Sequence, residues 1–154
     1  MNVFYLPDAR EGNVSFPEEE SKHIVRVLRM REGDTFCVTN GKGSLFDAEL
    51  IDAHPKRAMA NLLNRREGYD NRAFKLSIAI APTKLNERTE WFLEKATEIG
   101  IDNVKLFASF HSERRVANVE RFRKIVVSAM KQSVKSKMPV IEEMVSFEKL
   151  VKQD

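Results

Sequence analysis

The hydrophobic period of this 154-residue chain changes once, near residue 70, and that change restricts it to two unlike halves. Before it, apolar residues come in short β-favouring runs. Val3 to Leu6 is stopped by Pro7, while Thr35 to Thr39 and Leu45 to Ile51 flank Asn40-Gly41-Lys42-Gly43. Asn-Gly accepts the positive φ angles of a tight reversal, so these two runs form a hairpin. Ala58 to Leu63, after Pro55, reads as a further strand. One helix interrupts them. Pro17 suits its first position, Glu18, Glu19 and Glu20 its positive end, Arg29 and Arg31 its negative end, and Gly33 its exit. Ile24, Val27 and Leu28 form its apolar stripe. This pattern predicts a small, partly closed β-barrel over about residues 1–70.

Arg65 to Arg72 is polar and without period, and reads as a linker. Beyond it, Lys75 to Ala81 is a buried-strand candidate ended by Pro82. Asn86 is placed to cap a helix with Glu87 and Glu90 in its first turn, Phe92, Ala96 and Ile99 on its apolar face, and Gly100 at its C′ position. Asn103 to Phe107 is a second strand, so 75–107 forms a βαβ unit and a parallel sheet. Val119, Phe122, Val126 and Ala129 line another helix, which breaks before Pro139. Val140-Ile141 begins a third strand, and Ser146 caps a short last helix. The second domain thus runs over 74–154. Two secure strands are few for a parallel sheet, and no glycine follows Gly100. Backbone amides approach a cofactor closely where glycine permits it. The expectation is a chain that stops partway through its second domain.

Charge narrows the function. Residues 1–72 carry 11 Lys/Arg against 12 Asp/Glu, and residues 73–154 carry the other 15 against 11. Most of the excess lies in one window: Arg114, Arg115, Arg121, Arg123, Lys124, Lys131, Lys135 and Lys137, against Glu120 alone. A nearly acid-free window this long favours a polyanion partner over a merely solvated face. The longest stretch free of charge, Leu76 to Thr83, is far below the ~20 residues of a membrane span. The first residues lack a secretory pattern, and the lone Cys37 excludes an internal disulfide framework, so a cytoplasmic protein without a membrane partner is expected.

The common catalytic patterns are missing. GxGxxG, Walker A, HExxH and GxSxG do not occur, and His23, His54 and His111 lack metal-ligand spacing, so no metal is expected. Cys37 reads as a small buried hydrophobe. Ligands of open α/β sheets bind at the carboxyl ends of strands, which singles out Pro82, Thr83 and Lys84, and Ser112, Glu113, Arg114 and Arg115. An ordinary solvated loop is the competing reading. Lys22, Arg26 and Arg29 recur along the early helix opposite its apolar stripe. An exposed face is the usual reason for such a row, and RNA contact the alternative.

Several segments, taken in order, resemble one family. They are His23-Ile-Val-Arg-Val-Leu-Arg29 with Gly33-Asp34, Glu90 followed by Lys95-Ala-Thr-Glu-Ile-Gly100, Ser112-Glu-Arg114, and Gln132-Ser133 before Pro139. Together they resemble the ribosomal RNA small subunit methyltransferase E family. The resemblance implies a mixed fold, with a PUA-like barrel at 1–70 and the opening part of a knotted SPOUT α/β domain at 74–154. It implies methylation of N3 of a uridine in small-subunit (16S) ribosomal RNA, S-adenosylmethionine as donor, and a homodimer. It places Lys84, Arg88, Arg114 and Arg115 at the RNA-facing mouth, with Arg114 orienting target or phosphate. Lys131, Gln132 and Lys135, and Arg26 and Arg29, complete the candidate RNA contacts. No residue emerges as a catalytic base.

The chain departs from the family pattern in two places. Val134 and Lys135 stand where members carry Gly and Arg, and the glycine-rich knot turn and a late Arg-x-Glu-Thr segment are absent. The cofactor site is therefore expected beyond Asp154, which makes this stretch alone an RNA binder without methyl donor. Binding through about four to six phosphates would give a salt slope of roughly −3 to −5. The apolar faces of the Glu87–Ile99 and Val119–Gln132 helices are expected to lie uncovered. Two rivals remain: a non-catalytic RNA-binding module, and a protein-interaction piece with no RNA affinity.

Overall fold

The computed structural model describes residues 2–67, 72–112 and 116–152. Residues 68–71 of the expected linker, and Glu113, Arg114 and Arg115, lie outside the described residues. The chain divides into two compact units, Met1–Asn71 with Val134–Lys137, and Arg72–Ser133 with Met138–Asp154.

The first unit is a five-stranded sheet in the order β1-β3-β4-β5-β2, formed by β1 (Val3–Tyr5), β2 (Gly12–Ser15), β3 (Thr35–Thr39), β4 (Ser44–Asp52) and β5 (Met59–Glu67). β1 runs parallel to β3, and every other pair is antiparallel. The Asn40-Gly41 hairpin forms as the sequence predicts: Gly41 takes φ 70°, and Asn40 Oδ1 accepts the amides of Lys42 at 2.8 Å and Ser44 at 3.1 Å. Register breaks in the β4–β5 ladder at Leu45/Asp47 and Leu50/Asp52 accompany the bending of the sheet. Phe4 of β1 meets Phe16, just past β2, at 5.9 Å and Phe36 of β3 at 5.1 Å. Both edges of the sheet thus curl onto one core, although β1 and β2 share no ladder. Ala48, Ala58 and Ala60 are buried in that core beside the phenylalanines.

Three local expectations change here. Arg65, Arg66 and Glu67 belong to β5 rather than to a linker, and Glu67 pairs with Ser44. β2 was hidden because Gly12-Asn-Val-Ser15 has one apolar residue, and backbone pairing to β5 holds it. Pro17 sits one position before α1 (Glu18–Lys22), with ψ 158° outside the helical range. After α1 the chain continues as a π turn over His23–Val27. The wider turn rotates the apolar stripe, so Ile24 is buried, Val25 and Leu28 pack on the core, and Val27 is 68% exposed. Arg29, expected in the last helical turn, lies past it with φ 54°.

The segment Val134–Lys137 joins this first unit from late in the chain. Its Ser136 carbonyl accepts the hydroxyl of buried Thr39 at 3.2 Å and the amide of Gly43 at 2.9 Å, and Lys137 bridges Lys42.

The second unit is a three-stranded parallel sheet, β6 (Ser77–Ile80), β7 (Asn103–Ala108) and β8 (Val140–Ser146), in that order. Helices α2 (Asn86–Ile99) and α3 (Val119–Gln132) connect the strands, and α4 (Phe147–Leu150) follows. Leu93 and Ala96 of α2 and Val119, Phe122 and Val126 of α3 share one cluster with Ile78, Ile80, Val104, Leu106 and Ile141. Both helices therefore cover the same face of the sheet, as right-handed crossovers between neighbouring strands require. The apolar face of α3 is covered, against the expectation that it would lie open, whereas on α2 Trp91 and Ile99 remain 64% and 77% exposed.

α3 matches its sequence reading throughout, with Asn118 as its cap accepting the Arg121 amide at 3.0 Å. Ser146 caps α4 as expected. α2 does not follow its reading. Leu85, not Asn86, precedes it, and its buried residues are Thr89, Leu93, Ala96 and Thr97, whereas Ile99 is 77% exposed. Gly100 ends it with φ 106°. β6 alternates between exposed and half-buried residues, as an edge strand does, and is not a buried strand.

Candidate nucleic-acid interface

In a strand–helix–strand unit each helix begins where the preceding strand ends, so the start of α2 and the loop before α3 flank the carboxyl edge of the sheet. The loop after β6 is pinned there. Thr83 donates its amide to Oγ1 of buried Thr89 at 3.1 Å and its hydroxyl to Leu85 O at 2.7 Å. Lys84 and Arg88 are exposed around this pinned corner. After β7, Ser109 and Ser112 close a turn: Ser112 donates its amide to Ser109 O at 3.1 Å, and its Oγ accepts the Ser109 amide at 2.9 Å. The turn presents Phe110, 88% exposed, with its ring 5.0 Å from His111. Sequence reasoning passed over Phe110; an aromatic inside a run otherwise rich in Ser, His and Arg was the available signal.

Within the second unit, two of the remaining sequence-predicted residues lie away from that edge. Lys131 and Gln132 close α3, whose 14 residues carry them about 20 Å along the helix from its start. Arg26, Arg29 and Lys135 belong to the first unit.

The basic window is also more neutralised than its sequence implies. Arg121 pairs with Glu90, Nε to Oε1 at 2.6 Å, and the carboxylate raises the guanidinium pKa above its ordinary value. Arg123 pairs with Glu120. Lys124 is exposed, with no ion pair among the described residues. Glu90 and the Lys95-Ala-Thr-Glu-Ile-Gly run make contacts within their own unit. Lys95 bonds Glu94 at 2.7 Å and Glu98 at 3.0 Å, which raises its pKa and lowers that of Glu94, while Thr97 donates to Leu93 O.

Among the described residues no glycine stands at the carboxyl ends of β6, β7 or β8; Gly100 lies at the opposite end, before β7. Among the described residues no cluster of three or more His, Cys, Asp or Glu could hold a metal ion. Cys37 is buried, but on the outer side of β3, where Arg66 donates to its Sγ at 3.3 Å and Asp47 lies beyond. It is thus part of a polar cluster rather than of the apolar core.

Residues 70–154 match the family model of an RNA methyltransferase domain, and residues 16–63 that of an RNA methyltransferase PUA domain. The chain belongs to the RNA methyltransferase family. Among curated members, ribosomal RNA small subunit methyltransferase E of Bacillus subtilis is 27% identical over 149 residues, covering 90% of this chain and 56% of the relative. Among solved members, a probable rRNA-methyltransferase from Porphyromonas gingivalis is 40% identical with a TM-score of 0.91, over 100% of this chain and 64% of that one. A ribosomal RNA small subunit methyltransferase E from Neisseria gonorrhoeae bound to S-adenosyl methionine is 25% identical, TM-score 0.88, over 100% and 65%. The chain therefore spans little more than half of that curated methyltransferase and just under two thirds of the solved ones.

Proposed function

We propose that the protein is an S-adenosylmethionine-dependent methyltransferase acting on N3 of a uridine in small-subunit ribosomal RNA. In this reading residues 1–70 are a PUA-like RNA-binding barrel, and 74–154 the opening part of a SPOUT domain. It works in the cytoplasm as a homodimer. What supports the reading most is that two RNA methyltransferase family models match in series, on a backbone similar over its whole length to solved methyltransferases.

The chemistry needs little from side chains. N3 of uridine must lose its proton and be held in line with the donor methyl, so positioning is the larger demand. S-adenosylmethionine supplies that methyl. Lys84, Arg88, Arg114 and Arg115 are proposed to hold the RNA backbone at the carboxyl edge, with Arg114 orienting the target, while Lys131, Gln132, Lys135, Arg26 and Arg29 are proposed to hold further phosphates. The donor itself is proposed to bind outside these 154 residues, because the carboxyl edge they build lacks glycine.

The test is methyl transfer. The intact protein, given S-adenosylmethionine and small-subunit rRNA from cells lacking the gene, is expected to add one methyl to a uridine, and Arg114→Ala to lose most of that activity. RNA binding without any transfer would favour the non-catalytic module. Absence of RNA binding, with tight capture of a protein, would favour the interaction piece.

A further inference from the structure

Asn40 is followed by glycine, whereas every other asparagine of the chain precedes Val, Leu, Arg or Glu. A peptide nitrogen reaches the preceding asparagine Cγ most readily when its own residue has no Cβ, so this pair is the best placed for backbone attack. The hairpin arranges the three groups that such an attack involves. Asn40 Oδ1 accepts the Lys42 amide at 2.8 Å and the Ser44 amide at 3.1 Å. Both partners are N–H donors, so the atom facing them is the oxygen. Nδ2 makes no hydrogen bond among the described residues and is not sealed from solvent. The Gly41 amide, with φ 70°, donates to Thr39 Oγ1 at 3.1 Å, and the Thr39 hydroxyl donates to Ser136 O at 3.2 Å.

Each contact bears on one part of the reaction. When the Gly41 nitrogen attacks Cγ, negative charge develops on Oδ1, at which two backbone amides already point, as in an oxyanion hole. Thr39 Oγ1 accepts the hydrogen bond of the proton that the nitrogen must give up. The departing amine is Nδ2, which has no partner in the turn to hold it. The N–Cγ bond forms as the Cγ–Nδ2 bond breaks, and the lost proton leaves with the amine as ammonia. One water then opens the cyclic imide. Cleavage on the side-chain side gives aspartate, and cleavage at the Asn40 main-chain carbonyl gives β-linked isoaspartate. Water is the only co-reactant.

We propose that Asn40-Gly41 is a self-modifying site, at which the folded hairpin promotes its own deamidation through the contacts of Asn40 with Lys42 and Ser44 and of Gly41 with Thr39. The consequence falls on the turn. Isoaspartate adds a methylene to the main chain and a carboxylate beside Lys42, and the Lys42 and Ser44 amides lose their shared acceptor. From the same turn the Gly43 amide donates to Ser136 O at 2.9 Å, so the modified hairpin holds Val134–Lys137 less firmly. This chemistry is independent of the methyltransferase reading.

The experiment compares the intact protein with a synthetic peptide of residues 32–42, the piece trypsin releases around Asn40, both held at mildly alkaline pH. Mass spectra of that tryptic peptide follow the amide-to-acid change, and chromatography separates the β-linked product. Conversion in the folded protein is expected to run about three- to tenfold faster than in the free peptide, well short of what enclosed oxyanion donors achieve. Thr39→Val is expected to bring the rate down towards that of the peptide, and Thr39→Ser to keep it. Thermal unfolding checks that each variant is folded during the incubation. Should Thr39→Val not fold, the comparison of parent with peptide decides alone. Conversion in the protein equal to or slower than in the peptide would overturn the proposal, since the turn would then shield the amide or leave it unaided. A fast rate that Thr39→Val leaves untouched would overturn it too, because the contacts named would not be the cause.

Discussion

Arg121 of α3 holds Glu90 of α2 at two points, Nε to Oε1 at 2.6 Å and Nη2 to Oε2 at 3.1 Å. A cation committed this way inside the protein is a poor donor to phosphate, whereas Lys124, three residues on, is not committed. Lys124→Ala is therefore expected to reduce the RNA salt slope by about 0.7, and Arg121→Ala to change it by less than about 0.2. Arg121→Ala should instead lower the unfolding midpoint, because it strands the mostly buried Glu90 carboxylate. Equal slope changes in the two variants would show that the pair opens on RNA.

Val134 is, with Arg29 and Asn64, one of three non-glycine left-handed positions among the described residues, with φ 55°, and a β-branched residue is poorly suited to it. Val134→Gly should stabilise the protein by roughly 0.5–1 kcal/mol, read by urea unfolding. A loss of stability would mean that contacts of the half-buried valine outweigh the strain.

Arg66 binds Asp47 and, helped by the Asn64 amide, holds its carboxyl below the ordinary carboxylate range against the opposing effect of burial. A depressed folded-state pKa gives stability that is complete above the unfolded value and lost as pH falls through the folded one. The unfolding midpoint should hold above about pH 5 and drop below about pH 4. Asp47→Asn should unfold earlier at neutral pH yet show a flatter acid limb. Parallel limbs in parent and variant would remove Asp47 from the account.

Phe110 stands almost wholly in solvent at the carboxyl edge of the sheet. If a base of the RNA stacks on it, Phe110→Ala should weaken rRNA binding by about 1–3 kcal/mol with the salt slope unchanged, because no charge is removed. A loss of slope, or no loss of affinity, would rule out stacking.

The 154 residues by themselves should give no heat on titration with S-adenosylmethionine, whereas a protein of the relatives' full length should bind it. Micromolar binding by the shorter chain would show a cradle built without glycine.

α3 was readable because Val119, Phe122, Val126 and Ala129 bury one apolar stripe, with no polar residue competing for it. α2 was not, because Thr89 and Thr97 take buried positions by satisfying their hydroxyls within the loop and the helix, while Ile99 turns outward. Hydrophobicity alone ranks those residues the other way. The early helix misled by a single residue: the wider π turn moved Val27 into solvent and carried Arg29 beyond the last turn. The interface was readable as composition but not as geometry. Counting charges treats Arg121 and Lys124 alike, and only the partner Glu90, 31 positions away in sequence, separates them.

The short return of Val134–Lys137 to the first sheet bears on inheritance. A recombination event that cut the gene near codon 70 would deliver a β unit whose Thr39 hydroxyl and Gly43 amide have lost the Ser136 carbonyl. Water would take the place of that carbonyl, and the β unit is expected to be less stable without Val134–Lys137 than with it.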